Sequence, residues 1–210
     1  KKNPHKMGTW VSGSKTHVAT MSKGDFYSNE QSVTISKTSV GAAKIEFVGK
    51  NGAITVFKED LSFQEADVID ATMMSRKALR AFIEAQIKDA RIKGVLFSVH
   101  LKATMMKISD PIIFGHVVSV FFKEVFDRHS NIFSELGIDA NNGIGELLAK
   151  LQTLPREQKE EITADIQACM EEQPDLYMVN ARRGVTNLHV PSDVIIDASM
   201  PALIRNGGKG

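Results

Sequence analysis

The hydrophobic period of this chain switches at Gly94, and that switch restricts the fold more than any other feature. Before it, Ala78, Leu79, Phe82, Ile83, Ile87 and Ala90 recur at helical spacing, with Ser75 placed as an N-cap and Gly94 as a stop. Directly after it, Val95-Leu-Phe-Ser-Val-His-Leu101 is the apolar run of a buried strand. A helix that hands straight on to a strand is the order of an α/β fold. Strand side chains alternate, so Val95, Phe97, Val99 and Leu101 share one face, and Leu96, Ser98, His100 and Lys102 share the other. Ligands of open α/β sheets bind beyond the carboxyl ends of strands, and Lys102 sits at such an end. A lone lysine there is ordinarily solvated, its stem lying over apolar surface. Val194-Ile-Ile-Asp-Ala-Ser-Met-Pro201 repeats the pattern with Asp197 at the tip, a position that equally suits a turn or a cap before Ala198 to Leu203. If both tips serve one crevice, strands 95–101 and 193–196 share a sheet and the two side chains emerge at the same edge.

The first 63 or so residues read as a β-rich layer. Strands are expected at 16–21, 32–36, 44–48 and 53–57, where β-branched and aromatic residues partly alternate. Lys50-Asn51-Gly52 marks a hairpin between the last two. Asp110-Pro111 opens a further helix, apolar on most sides, which calls for burial or for packing on a neighbouring domain. Helical segments follow at 130–136, 144–152 and 156–171, and core strands at 176–179 and 194–196. The expected division is a β-rich part, 1–66, and an α/β part, 67–210, which carries Lys102 and Asp197; the join falls near 64–70.

The 26 basic and 25 acidic residues give a net charge of +1, which argues against nucleic-acid binding by bulk charge. No apolar run reaches the length of a membrane span, and no signal peptide is visible. The one cysteine, Cys169, lies beside Ile166 and Met170 in a helical pattern and reads as a core residue. Without a possible internal disulfide, a reducing compartment is expected. The chain does not begin with Met and stops in a glycine-rich tail, so it reads as a piece of a longer protein.

Most remaining motifs have an ordinary explanation. Asn141-Asn-Gly-Ile-Gly145 opens a helix and could hold an anion on its N–H groups, but it lacks the third glycine of a dinucleotide fingerprint; a loop and helix start is the favoured reading. The six histidines, at 5, 17, 100, 116, 129 and 189, show no metal-ligand spacing, and His116 and His129 read as surface or core-edge groups. Ser98 and His100 point the same way but lack an orienting third group, which makes them lining residues only. Arg182-Arg183-Gly184 reads as a solvated basic turn, with an anion contact as the alternative.

Ser98-Val-His-Leu-Lys-Ala-Thr-Met-Met-Lys-Ile-Ser-Asp-Pro-Ile-Ile-Phe-Gly115 resembles the monomeric, NADP-dependent type of isocitrate dehydrogenase found in bacteria. The likeness extends to Pro4-His-Lys-Met-Gly8, Lys23-Gly-Asp-Phe-Tyr27, Lys77-Ala-Leu-Arg80, Asn141-Asn-Gly143, and Thr186-Asn-Leu-His-Val-Pro-Ser-Asp193 running on to Asp197-Ala-Ser-Met-Pro201. The resemblance implies a sheet flanked by helices, isocitrate/isopropylmalate dehydrogenase-like, with an N-terminal β-rich layer, as the first half of the large domain of a monomeric cytoplasmic enzyme. It implies oxidation of isocitrate at C2 with hydride passing to NADP, then loss of CO2 to give 2-oxoglutarate, with Mg2+ or Mn2+ chelated by the substrate. Lys102 matches the catalytic lysine of the family and Asp197 one metal-ligating aspartate. The family's isocitrate-binding Ser/Arg segment would precede Lys1. Its other metal ligands, its catalytic tyrosine and most of its NADP contacts would follow Gly210. In related dimeric enzymes the neighbouring subunit lends the equivalents of Lys102 and Asp197, so this piece resembles a covalently attached stand-in for that neighbour. The remainder of the polypeptide is therefore its expected partner, together with isocitrate, and neither nucleic acid nor membrane. The competing reading is a non-catalytic docking module, a β-layer with apolar helices.

Overall fold

A computed structural model describes residues 11–101 and 105–189. They form a mixed α/β chain in two compact units, one spanning Met21–Ala78 and the other formed by residues up to Thr20 together with those from Leu79 onward.

The smaller unit consists of two antiparallel strand pairs. β1 (Gln31–Thr34) pairs with β4 (Val68–Ala71), with Gln31 opposite Ala71 and Thr34 opposite Val68. β2 (Gly41–Val48) pairs with β3 (Ile54–Phe63) through the expected hairpin. In its turn the N–H of Gly49 donates to the carbonyl of Ala53 at 2.8 Å, the side-chain oxygen of Asn51 accepts from the N–H of Ala53, and Gly52 takes a φ of +79° that favours glycine. Because β4 closes on β1, this unit runs past the expected join near 64–70.

The larger unit is mainly helical. α1 (Arg76–Lys93) begins where the Ser75 hydroxyl accepts from the N–H of Ala78, and it ends at Gly94. Its inner face is Leu79, Ile83, Ile87 and Ala90, the three-and-four spacing read from the sequence. α2 (Ser109–Phe121) holds Pro111 in its first turn and buries Phe114, Val117, Val118, Val120 and Phe121. Among the described residues α3 (Lys123–Arg128), α4 (Ser130–Glu135), α5 (Gly143–Lys150) and α6 (Arg156–Glu172) are the remaining α-helices. The centre of the core is Val118, Phe121, Phe122, Ile144, Leu147, Leu151, Ile162 and Leu188, all almost fully enclosed.

Four expectations need correction. Residues 16–21 form no strand. The segment is instead tied by side chains: the adjoining Lys15 donates from Nζ to the carbonyl of Lys93, and His17 Nε2 lies 3.2 Å from Asp89 Oδ2. Residues 95–101 form no strand and make a single parallel bridge, Phe97 to Leu176, with the N–H of Phe97 donating to the carbonyl of Asp175 at 2.8 Å. The ladder stops there because the neighbouring segment turns aside: the carbonyl of Tyr177 accepts from the N–H of Asn187, and β5 (Met178–Asn180) pairs with β6 (Val185–Thr186). β5 is exposed throughout rather than a core strand, although Leu176 just before it is buried. His129 lies in the turn between α3 and α4 and is buried, because Asp165 of α6 supplies an acceptor 2.7 Å from its Nε2.

Candidate functional site

Lys102 and Asp197 lie outside the described residues, as do His5 and the strand expected at 194–196. The structure describes the two limbs of chain that lead to them, residues 95–101 and 185–189, and how those limbs are joined.

The first limb lines a cleft of about 390 Å³ whose walls include Leu79, Phe82 and Ile83 of α1, Ile113 and Val117 of α2, and residues 16–19. Ser98 Oγ and His100 Nε2 are 2.5 Å apart. Burial pushes the His100 pKa below its ordinary value, so its ring is neutral near pH 7. The pair is half-buried in the residues just before Lys102.

The second limb is a tight turn that follows β6. Thr186 is fully buried, and its Oγ1 accepts from the N–H of Leu188. Nδ1 of His189 accepts from the N–H of Thr186 at 3.0 Å, with Thr186 Oγ1 2.9 Å away. That geometry requires a neutral ring with its proton on Nε2, and burial of His189 favours the same form by lowering its pKa.

Asn187 joins the limbs. Its Nδ2 donates to the carbonyl of Val99 at 3.1 Å and lies 3.5 Å from Ser98 Oγ, while its N–H donates to the carbonyl of Tyr177 at 2.9 Å. Its side-chain oxygen is buried and accepts no hydrogen bond among the described residues.

The start of α5 fixes the second limb from the other side. The N–H groups of Ile144 and Gly145 donate to the carbonyls of Leu188 and His189, each at 2.8 Å. A Cβ on Gly143 or Gly145 would come within 2.6 Å of the His189 oxygen, so both glycines are required by the close approach of that backbone. The anion reading of 141–145 is thereby overturned: those N–H groups hold the chain's own carbonyls. Sequence reasoning missed Thr186, Asn187 and His189 as a joint. Nothing in their spacing signals a reach of almost ninety residues back to Val99, though a second small residue at Gly145 hinted at close packing.

The other candidates take structural roles. Arg182 and Arg183 sit in an exposed turn whose Arg183 N–H donates to Asn180 Oδ1. His116 Nδ1 is 3.4 Å from Arg80, which donates to Ser119 Oγ. Cys169 is half-buried, and its thiol donates to the carbonyl of Phe121; burial, with Glu124 and Glu172 nearby, pushes its pKa to about 11, which disfavours the thiolate near neutral pH. Among the described residues no three His, Cys, Asp or Glu side chains cluster to hold a metal, and no helix is long and apolar enough to cross a membrane.

The family model for monomeric isocitrate dehydrogenase matches residues 1–210. The isocitrate dehydrogenase (NADP) of Azotobacter vinelandii is 54% identical over 209 residues, covering 100% of this chain and 28% of the relative. The isocitrate dehydrogenase (NADP) 2 of Colwellia maris is 54% identical over 206 residues, 98% of this chain and 28% of its own length. That of Mycobacterium tuberculosis is 48% identical over 209 residues, again 100% of this chain and 28% of the relative. The chain thus spans 28% of the length of these curated relatives.

Proposed function

This chain belongs to the monomeric isocitrate dehydrogenase family, and from that premise we propose that it is part of an NADP-dependent isocitrate dehydrogenase to which it supplies Lys102 and Asp197. The single structural observation that carries the proposal is the joint at Asn187, which ties the limb leading to Lys102 to the limb leading to Asp197. Two chemically active groups from distant parts of a sequence need such a tie to face one crevice at fixed separation.

In this reading segments 95–101, 176–179 and 193–196 belong to one sheet flanked by helices, isocitrate/isopropylmalate dehydrogenase-like, completed by the rest of the polypeptide. The parts 1–66 and 67–210 both belong to its large domain, and the intact enzyme is a cytoplasmic monomer. Asp197 offers the hard oxygen donor that Mg2+ or Mn2+ prefers, and further carboxylates must come from elsewhere in the protein. Asp197, with carboxylates from elsewhere, would hold a divalent cation whose Lewis acidity would polarise the C2 oxygen, and NADP bound by the rest of the protein would be the hydride acceptor. Lys102 takes or relays the proton of the C2 hydroxyl; a positive neighbour lowers its affinity for its own proton and fits it for that task. Ser98 and the neutral His100 line the approach without adding charge.

The test is isocitrate-dependent NADPH formation by the longer protein with Mg2+ or Mn2+, beside its Asp197→Asn variant. The variant is expected to need much more metal for half-maximal rate. Absence of turnover in the parent rejects the reading, and an unchanged metal requirement in the variant removes Asp197 from it.

A further inference from the structure

The smaller unit has almost no interior. Among residues 21–78 one side chain, Ile35 at 7% exposure, is buried. The β2–β3 hairpin shows the consequence most sharply, because large apolar side chains stand in water on both of its faces. Val48 is opposite Ile54 and Glu46 opposite Val56, which places Val48, Ile54 and Val56 on one face. Ile45 and Phe47 alternate onto the other face, where Phe47 stacks on Phe57 with ring centroids 6.2 Å apart. Phe47 is 56% exposed, Phe57 68% and Ile54 60%. An antiparallel sheet covered on one side alternates apolar and polar residues; apolar residues on both sides mark strands covered twice. An uncovered two-stranded hairpin is marginal in water. Lys44 and Glu46 pair at 2.6 Å, and the other strand charges, Lys58, Glu59 and Asp60, follow one another in β3 after the apolar run Ile54–Phe57.

We infer that the β2–β3 hairpin is an intramolecular docking arm, inserted between apolar surfaces of the same polypeptide that lie outside residues 1–210. The inference rests on the reading of this chain as part of a longer, monomeric enzyme. With 28% of the relatives' length accounted for here, the remainder is ample to cover both faces. In a monomer that cover comes from the same chain rather than from a second copy.

The experiment uses the longer protein with the photo-crosslinking residue benzoylphenylalanine placed at Phe57 or, separately, at Ile54. Irradiation is expected to give products of monomer mass at both positions, with the adducts mapped to peptides beyond residues 1–210. Dimer-mass products, adducts confined to residues 1–210, or no adduct at either position would overturn the inference; adducts at one position alone would overturn the two-sided cover. Hydrogen exchange of the unsubstituted protein serves as a measure independent of the substitutions. Amides of 41–63 are expected to exchange at least about tenfold more slowly than in urea, and exchange at the unfolded rate would count against docking. Isocitrate-dependent NADP reduction by the same preparation tests the functional reading separately.

Discussion

Asn187 donates to the carbonyl of Val99 while its own N–H is held by Tyr177, so a single side chain sets the spacing between two stretches of backbone. Asn187→Ala in the longer protein removes the donor and leaves the Val99 carbonyl short of a partner. One to two neutral hydrogen bonds of about 1 kcal/mol each are lost, so a stability decrease of about 1–2 kcal/mol is expected in denaturant unfolding. If the joint positions the site, kcat falls as well while the KM for NADP stays near that of the parent. Lys102 belongs to the same scale. Lys102→Met keeps the apolar stem and removes the proton carrier; general acid–base groups contribute about 10²–10⁴-fold, so kcat is expected to fall by that factor with isocitrate binding changed far less. Steady-state kinetics decide the matter, and a near-parental kcat would leave Lys102 a solvated side chain. Lys102 and Asp197 stood out in the sequence because an ionisable group at the end of an apolar run is unusual. Asn187 did not, because an asparagine after Gly184-Val185 reads as an ordinary turn former, and its long-range bond has no local signature.

The helices were legible from spacing and punctuation alone. Ser75, Gly94, Pro111, Gly137 and Pro155 bracket apolar periods that the structure turns into α1, α2, α4 and α6 within a residue or two. The strands were less so. Residues 95–101 have the composition of a strand, but pairing depends on a neighbour, and the segment at 175–177 offers one rung before it turns to β6. Close approach decides the next prediction: Gly145→Ala sets a methyl against the His189 carbonyl, and overpacking of this kind costs about 1–3 kcal/mol, read as a lowered unfolding midpoint. Between α3 and α6, Asp165 accepts from His129 and pairs with Arg128 at 2.6 Å; the bond from His129, helped by Arg128, holds its carboxyl below the ordinary 3.8. A carboxyl lowered on folding stabilises the protein above its unfolded pKa, and that contribution is lost as pH falls through the folded value. Asp165→Asn is therefore expected to cost about 1–3 kcal/mol near neutrality, with the difference from the parent shrinking below about pH 4. Thermal unfolding across pH 3–7 checks both parts.

At the scale of the whole molecule, the larger unit encloses a continuous apolar centre while the smaller one shows its apolar residues to water. Composition could not reveal that contrast, because an overall hydrophobic fraction of 42% says nothing of where the apolar residues are covered. On the proposed reading, in which this chain supplies Lys102 and Asp197 alone, it cannot assemble a site that needs several carboxylates and a nucleotide. The 210-residue chain alone is expected to form no NADPH above blank with Mg2+ and isocitrate, and measurable turnover would refute the division of the site between this chain and the rest of the protein. The carbonyls of Leu188 and His189 on the first turn of α5 carry a consequence for kinetics. The N-terminal end of that helix stays incomplete until a segment beyond α6 and β6 has returned to it, so a long loop must close before these bonds form. Contacts that form after the rate-limiting step of folding govern how fast the native state opens and leave the refolding rate unchanged. If the bonds of Leu188 and His189 to α5 form after that step, Gly145→Ala is expected to accelerate unfolding without slowing refolding, which stopped-flow unfolding and refolding rates would read.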